Sequence, residues 1–169
     1  MKIIGIDTGE KGAIVQIDCK HKTAVCMKLP YKNDGLLNLD AVHKYFTLSA
    51  ADFICVERVT PDPKFGTKSA WTFSGYYHMA LMLVGDYQYF TAHPKTWQKE
   101  IHGDLRRDKC YTAKQRSLHI FNAMYPNQTV VKHKDDGIID AIHIARFCGI
   151  HNNIEVPTEL KFYLIDKSF

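Results

Sequence analysis

The sequence predicts an α/β domain: a central mixed sheet of five strands flanked by helices. Three observations point there. Short β-branched runs crowd residues 2–30, a further apolar strand stands in "DFICVERV", and from there helical and strand-like periods alternate to about residue 151. Early strands followed by such alternation describe a sheet covered by helices. With 169 residues and 46% hydrophobic composition, the chain can bury a substantial single core. The domain is placed at residues 1–151. Residues 152–169 form a C-terminal tail with no clear period.

The elements follow in order. Ile3, Ile4 and Ile6 make a buried strand that ends at Asp7, "TGEKG" is a turn, and residues 13–17 return as the partner of a hairpin. Residues 22–30 give a third strand closed by Pro30. Leu39, Val42, Tyr45, Phe46 and Leu48 recur at helical spacing. "DFICVERV" is the fourth strand, and "TPDPKFGTK" is a loop punctuated by Pro and Gly. The helix over residues 69–84 is apolar around most of its circumference. It must therefore be buried on both sides or meet a second subunit. "YQYFTAHP" is the fifth strand, "KTWQKEIH" a short helix, "TAKQRSLHIFNAMYP" an amphipathic helix, and "KHKDDGIIDAIHIARFCGI" the last one. Neither internal repeats nor low-complexity segments occur.

Composition excludes several classes. No apolar run approaches the roughly 18 residues of a membrane span, and the opening residues do not resemble a signal peptide. Five cysteines without a CxxC pair argue against structural zinc and for reduced thiols, so a cytoplasmic location is expected. The net charge of +4 is unevenly placed. Residues 94–134 carry nine Lys/Arg against three acids, a local +6, which suits a polyanionic partner.

The acids carry the chemistry. Asp7 alone fits a turn-initiating residue, but Glu57 repeats the pattern of a carboxylate that ends a buried strand. Asp136 and Asp140 lie four apart, about 400° of turn and roughly 6 Å of rise, and so share a helix face with His133 and His143. Like charges so placed repel, which a cation would relieve. Asp135 fits a first-turn acid favoured by the helix dipole; Asp140, mid-helix, does not.

The order of "GIDTG", "VER", "PDPKFG", "FSGYYHMALMLV", "HPKTWQKEI", "TAKQRSLHIFNAMYP" and "DGIIDAIHIA" resembles the RuvC-type Holliday junction resolvases, particularly phage and prophage members, of the ribonuclease H-like nuclease superfamily. The resemblance covers roughly residues 2–150. It implies a ribonuclease H-like fold and an endonuclease that cleaves branched DNA by paired nicks, leaving 5′-phosphate and 3′-hydroxyl ends. It maps the catalytic acids onto Asp7, Glu57 and Asp140. Many members carry the fourth acid three residues before the last Asp, where this chain has Gly137. Here the candidate is Asp136, with Asp135 and His133 as alternatives. The family's usual Pro after the first Asp is Thr8, a turn variation.

Two Mg²⁺ ions per site are implied, with Mn²⁺ as a substitute, bridged by Asp7 and held singly by Glu57 and Asp140, with Asp136 as the fourth ligand. DNA contacts are expected from Lys64, Lys68, Lys95, Lys99, Arg106, Arg107, Lys109, Lys114, Lys132, His133 and Lys134. Phe65 is expected to wedge into or stack on an opened junction. Trp97 is read as packing on the sheet edge. The greasy helix over residues 69–84 suits a homodimer whose two sites address opposing strands.

Three rivals remain. A sugar-kinase or actin-like ATPase shares "GIDTG" but needs a second domain, and a ribonuclease H on RNA–DNA hybrids shares the acids. A non-catalytic DNA-binding module would have lost an acid, and none of the candidates is missing.

Overall fold

Ile3 and Gly5 turn to one side of the first strand and Ile4 and Ile6 to the other, and this period of two organises the domain. The computed structural model describes residues 1–59, 66–132 and 134–165. Strands β1 (Lys2–Asp7), β2 (Ala13–Asp18) and β3 (Thr23–Lys28) form an antiparallel meander. On the other side of β1 lie β4 (Phe53–Glu57) and then β5 (Tyr89–Ala92), each parallel to its neighbour. Beyond β3 runs β6 (Lys161–Ile165), parallel to it, so the order is β5-β4-β1-β2-β3-β6.

The sheet thus has six strands among the described residues where the sequence pattern predicts five. The sixth comes from the tail. Its partner lies more than 130 residues away in sequence, and only Phe162 of β6 is buried, so no local period announces it.

Helices α1 (Leu39–Tyr45) and α2 (Thr67–Val84) pack on one face, with Ile4, Ile6, Ile14, Ile54 and Val56. Helices α3 (Pro94–His102), α4 (Ala113–Met124) and α5 (Asp136–His151) cover the other, with Ile3, Val15, Ile17 and Cys55. Helix α5 is the central one. Eleven of its sixteen residues are buried, and it lies along β1. Gly5 makes that possible, because a Cβ there would stand 2.3 Å from the Ala141 carbonyl oxygen. At the start of α5, Gly137 rests on the β1–β2 turn just as closely, 2.0 Å from the Lys11 carbonyl oxygen by the same measure.

Helix α2 is buried on one side and exposed on the other. Ala80, Leu83 and Val84 are its buried residues. Tyr76 sits against Tyr31, with ring centroids 4.8 Å apart, and Met79 Sδ accepts the Leu37 N–H at 3.3 Å, so both turn toward their own chain. Trp71 and Met82, 76% and 73% exposed, lie on the outer side with Gly75 and His78.

Candidate active site

Parity carries the acids to one place. Asp7 shares its side of β1 with Ile3 and Gly5, and Glu57 shares its side of β4 with Cys55, so both carboxylates face α5. The strands are parallel, with Ile6 opposite Val56, so the next residue of each brings Asp7 beside Glu57 at the carboxyl edge. The Thr8 hydroxyl locks that edge by donating to the Glu57 carbonyl oxygen at 3.0 Å. Thr8 is nearly fully buried, and so does more than vary a turn.

Close packing at Gly5 sets Asp140 over the strand ends. Gly137 is near enough to Asp7 that a Cβ there would lie 3.2 Å from Asp7 Oδ2. Burial, then the Glu57 and Asp140 carboxylates, push Asp7 well above the usual carboxylate range. Burial also raises Glu57, although Trp97 and Asp7 hydrogen bonds oppose it. Asp140 is pushed up to about 7, chiefly by burial, against the pull of a Ser117 hydrogen bond. Its Oδ1 is buried without a hydrogen-bond partner. An oxygen so placed is costly unless something pairs with it.

The two neighbouring acids at the head of α5 separate clearly. Asp135 is buried, pairs with Lys28 Nζ at 2.8 Å and accepts the Lys132 N–H at 3.0 Å. Asp136 faces the cluster: its charge adds to the rise at both Asp7 and Asp140. It pairs with Lys114 across the mouth of a cleft lined also by Ser117, Ile139 and Asp140. Burial works to raise Asp136, but Lys114 and the Gly137 N–H hold it below the usual range. Among the described residues no three His, Cys, Asp or Glu side chains converge as a finished metal cage.

Trp97 is fully buried against His102 and His143 rather than on a free base-stacking surface, and it donates from Nε1 to Glu57 Oε1 at 2.9 Å. Sequence pattern had no means of finding this bond, because it joins residues forty apart. His143 is not free for chemistry. It is buried and neutral, with Nε2 donating to the Ser117 carbonyl at 2.9 Å, and burial takes it down to about 4. Lys68, Lys95, Lys99, Arg106, Arg107, Lys109, Lys114, Lys132 and Lys134 are exposed. Arg116, part of the same basic run, instead staples the loop before α4 by bonding the Arg106, Tyr111 and Thr112 carbonyls. Lys64, Phe65 and His133 lie outside the described residues.

No protein-family model matches the chain, and no curated protein matches it. Solved structures do. Thermus thermophilus RuvC in complex with Holliday junction substrate superposes with a TM-score of 0.56, at 10% identity, over 90% of this chain and 95% of that one. The chain has a RuvC-type, ribonuclease H-like fold. Two further structures superpose less well. One is T. thermophilus RuvC on its own (TM-score 0.49, 13% identity, 90% and 96% covered) and the other the yeast mitochondrial Holliday junction resolvase Ydc2 (0.48, 14%, 85% and 75%). Position 137, where the resemblance would place an acid, has no room for a side chain, since a Cβ there would stand 2.0 Å from the Lys11 carbonyl oxygen.

Proposed function

We propose that this chain is a metal-dependent endonuclease that cleaves four-way DNA junctions and related branched DNA by paired hydrolytic nicks. One observation carries the reading. Asp7 and Glu57, side by side at the carboxyl edge of a RuvC-type sheet, face an Asp140 whose buried Oδ1 has no partner. The donor set fits a hard divalent cation, since every candidate ligand is a carboxylate oxygen and burial raises all three inner carboxyls, a cost that a bound cation would offset. Asp7, Glu57 and Asp140 would hold it, with Asp136 completing the set after exchanging Lys114 for the ion. When bound, Mg²⁺ supplies an activated water and stabilises the leaving oxygen of an in-line displacement.

The chain's own groups do the rest. Lys114, exposed at the mouth of the cleft, is positioned to meet the phosphate beside the scissile bond. The exposed lysines and arginines of residues 95–134 track the arms through phosphate contacts, which carry no sequence information. Two α2 helices, meeting through the Trp71, Gly75, His78 and Met82 face, would join two copies. The two-fold symmetry of such a dimer matches that of a four-way junction. Release as 5′-phosphate and 3′-hydroxyl ends, which the family resemblance implies, requires water to attack phosphorus in line with the 3′ oxygen, so that the P–O3′ bond breaks and the phosphate stays on the 5′ side.

The test is incubation with labelled four-way junction, matched duplex and RNA–DNA hybrid, with and without Mg²⁺. Junction cleavage confined to the Mg²⁺ arm is expected. Preferential hybrid cleavage would assign a ribonuclease H activity instead, and binding without cleavage of any substrate would assign a DNA-binding module. Asp7→Asn and Glu57→Gln should each abolish cleavage and leave junction binding largely intact. The loss is that of transition-state charge stabilisation, typically several kcal/mol.

A further inference from the structure

Behind the acids stands a small polar wall with no exposure of its own. Trp97 is fully buried, donates to Glu57 Oε1 at 2.9 Å, and cannot swing away. Its ring meets His102 edge-on at 5.6 Å and stacks on His143 at 6.4 Å, while the two imidazoles meet edge-on at 6.2 Å. Ser117, on the inner face of α4, meets three partners. Its side chain lines the same cleft as Asp140 and works to lower that carboxyl, its Oγ lies 3.1 Å from His102 Nε2, and its carbonyl oxygen lies 2.9 Å from His143 Nε2.

Proton counting orders this wall. With Asp140 ionised, as a bound cation would leave it, its carboxylate can only accept, so the single hydroxyl proton of Ser117 is directed to it. His102 must then donate from Nε2 to Ser117 Oγ, and His143 from Nε2 to the Ser117 carbonyl. Each imidazole is fixed in one tautomer, and the hydroxyl cannot rotate to another acceptor without breaking the chain. Glu57 is thus tethered by one oxygen, and Asp140, which lines the cleft with Ser117, keeps an unpaired Oδ1.

We propose that Trp97 and Ser117 are positioning residues, which clamp Glu57 and Asp140 so that one oxygen of each is left for a divalent cation. The clamp rests on the reading of these acids as metal ligands. It extends that reading to two residues that touch neither metal nor DNA. Outer hydrogen bonds of this kind fix ligand orientation, and their loss typically weakens metal binding about 10- to 100-fold.

The experiment uses the whole protein without DNA, so that binding is read apart from cleavage. Calorimetry with Mg²⁺ and with Mn²⁺ is run on the wild type, Trp97→Phe and Ser117→Ala, with circular dichroism to check folding. In parallel the indole N–H resonances of the wild type are followed through a Mg²⁺ titration and assigned with Trp71→Phe. The expected result is about 10- to 100-fold weaker binding in both variants. The Trp97 resonance should move with the calorimetric midpoint while that of the exposed Trp71 stays still. If the wild type binds Mg²⁺ but folded Trp97→Phe and Ser117→Ala bind as tightly, the clamp is overturned and the metal reading stands. An unmoved Trp97 resonance at saturating Mg²⁺ overturns it equally, and decides the matter if either variant fails to fold. If the wild type binds neither ion at millimolar concentration, the metal reading falls and takes the clamp with it.

Discussion

Asp135 and Asp136 are chain neighbours with different partners, and their substitutions should fail differently. Asp135→Asn leaves Lys28 and the Lys132 N–H without their carboxylate, so stability should fall by about 2 kcal/mol with cleavage retained in the folded fraction. Asp136→Asn should melt near the wild-type temperature but lose most activity. Urea melts and junction cleavage on the same two proteins check this, and equal small losses of activity would remove Asp136 from the site. His143 sets a pH dependence of stability. Its folded value of about 4 lies below the ordinary 6.5 because it is buried, with His102 and Arg146 adding repulsion and the Ser117 carbonyl opposing them. Between those values the unfolded chain binds the extra proton, so stability falls as pH drops through the window and the loss is complete below about 4. Between pH 7 and pH 5 this group alone should cost about 2 kcal/mol. His143→Gln should flatten that slope in urea melts at the two pH values.

At the scale of elements, two close approaches seat α5. A Cβ at Gly5 would meet α5 backbone at 2.3 Å, which no side-chain motion relieves. Gly5→Ala should therefore lift the helix from β1, cost about 1–3 kcal/mol or more, and lower cleavage by separating Asp140 from Asp7. Gly137→Asp tests the other approach. It places an acid at the position many resolvases use, yet in this chain it should destabilise the fold and rescue nothing in an Asp136→Asn background. Thermal melts together with cleavage assays separate the two effects. The sixth strand is an edge that covers β3. Ending the chain after residue 158 would leave β3 unpaired on that side and uncover Phe121 and Tyr125, on which Phe162 packs. The shortened protein should melt earlier and aggregate more readily, read by scattering during the melt.

For the whole molecule, the proposed dimer would join two copies through the outer face of α2. Tyr76→Glu and Met79→Glu place charge against Tyr31 and Leu37 of the same chain, so they should lower the melting temperature. Trp71→Glu and Met82→Glu act on exposed side chains. They should leave the melt nearly unchanged, give a monomer by light scattering, and convert paired nicks to single ones. A wild type that is monomeric at micromolar concentration yet cuts both strands in one binding event would end the dimer reading. The basic surface makes a separate prediction. Junction affinity should fall steeply with salt, and Lys→Ala at Lys95 or Lys99 should reduce the logarithmic slope by about one for each phosphate no longer neutralised.

What the sequence by itself determined was local or periodic. The alternation in "KIIGID" and "FICVE" implied two buried strands that end in acids, and the four-residue spacing of Asp136 and Asp140 put them on one helix face. Local pattern sufficed there because the period of an element is set by its own backbone. Helix face already set Asp136 apart from Asp135, and the tertiary structure added the distant lysine that each meets, Lys28 for Asp135 and Lys114 for Asp136. The tertiary structure also decided that α2 turns Tyr76 and Met79 inward, that the tail supplies a strand, and that Trp97 and Thr8 both hydrogen-bond Glu57. Each of these depends on partners brought together only when the sheet and α5 have packed, and no period along the chain encodes such a meeting.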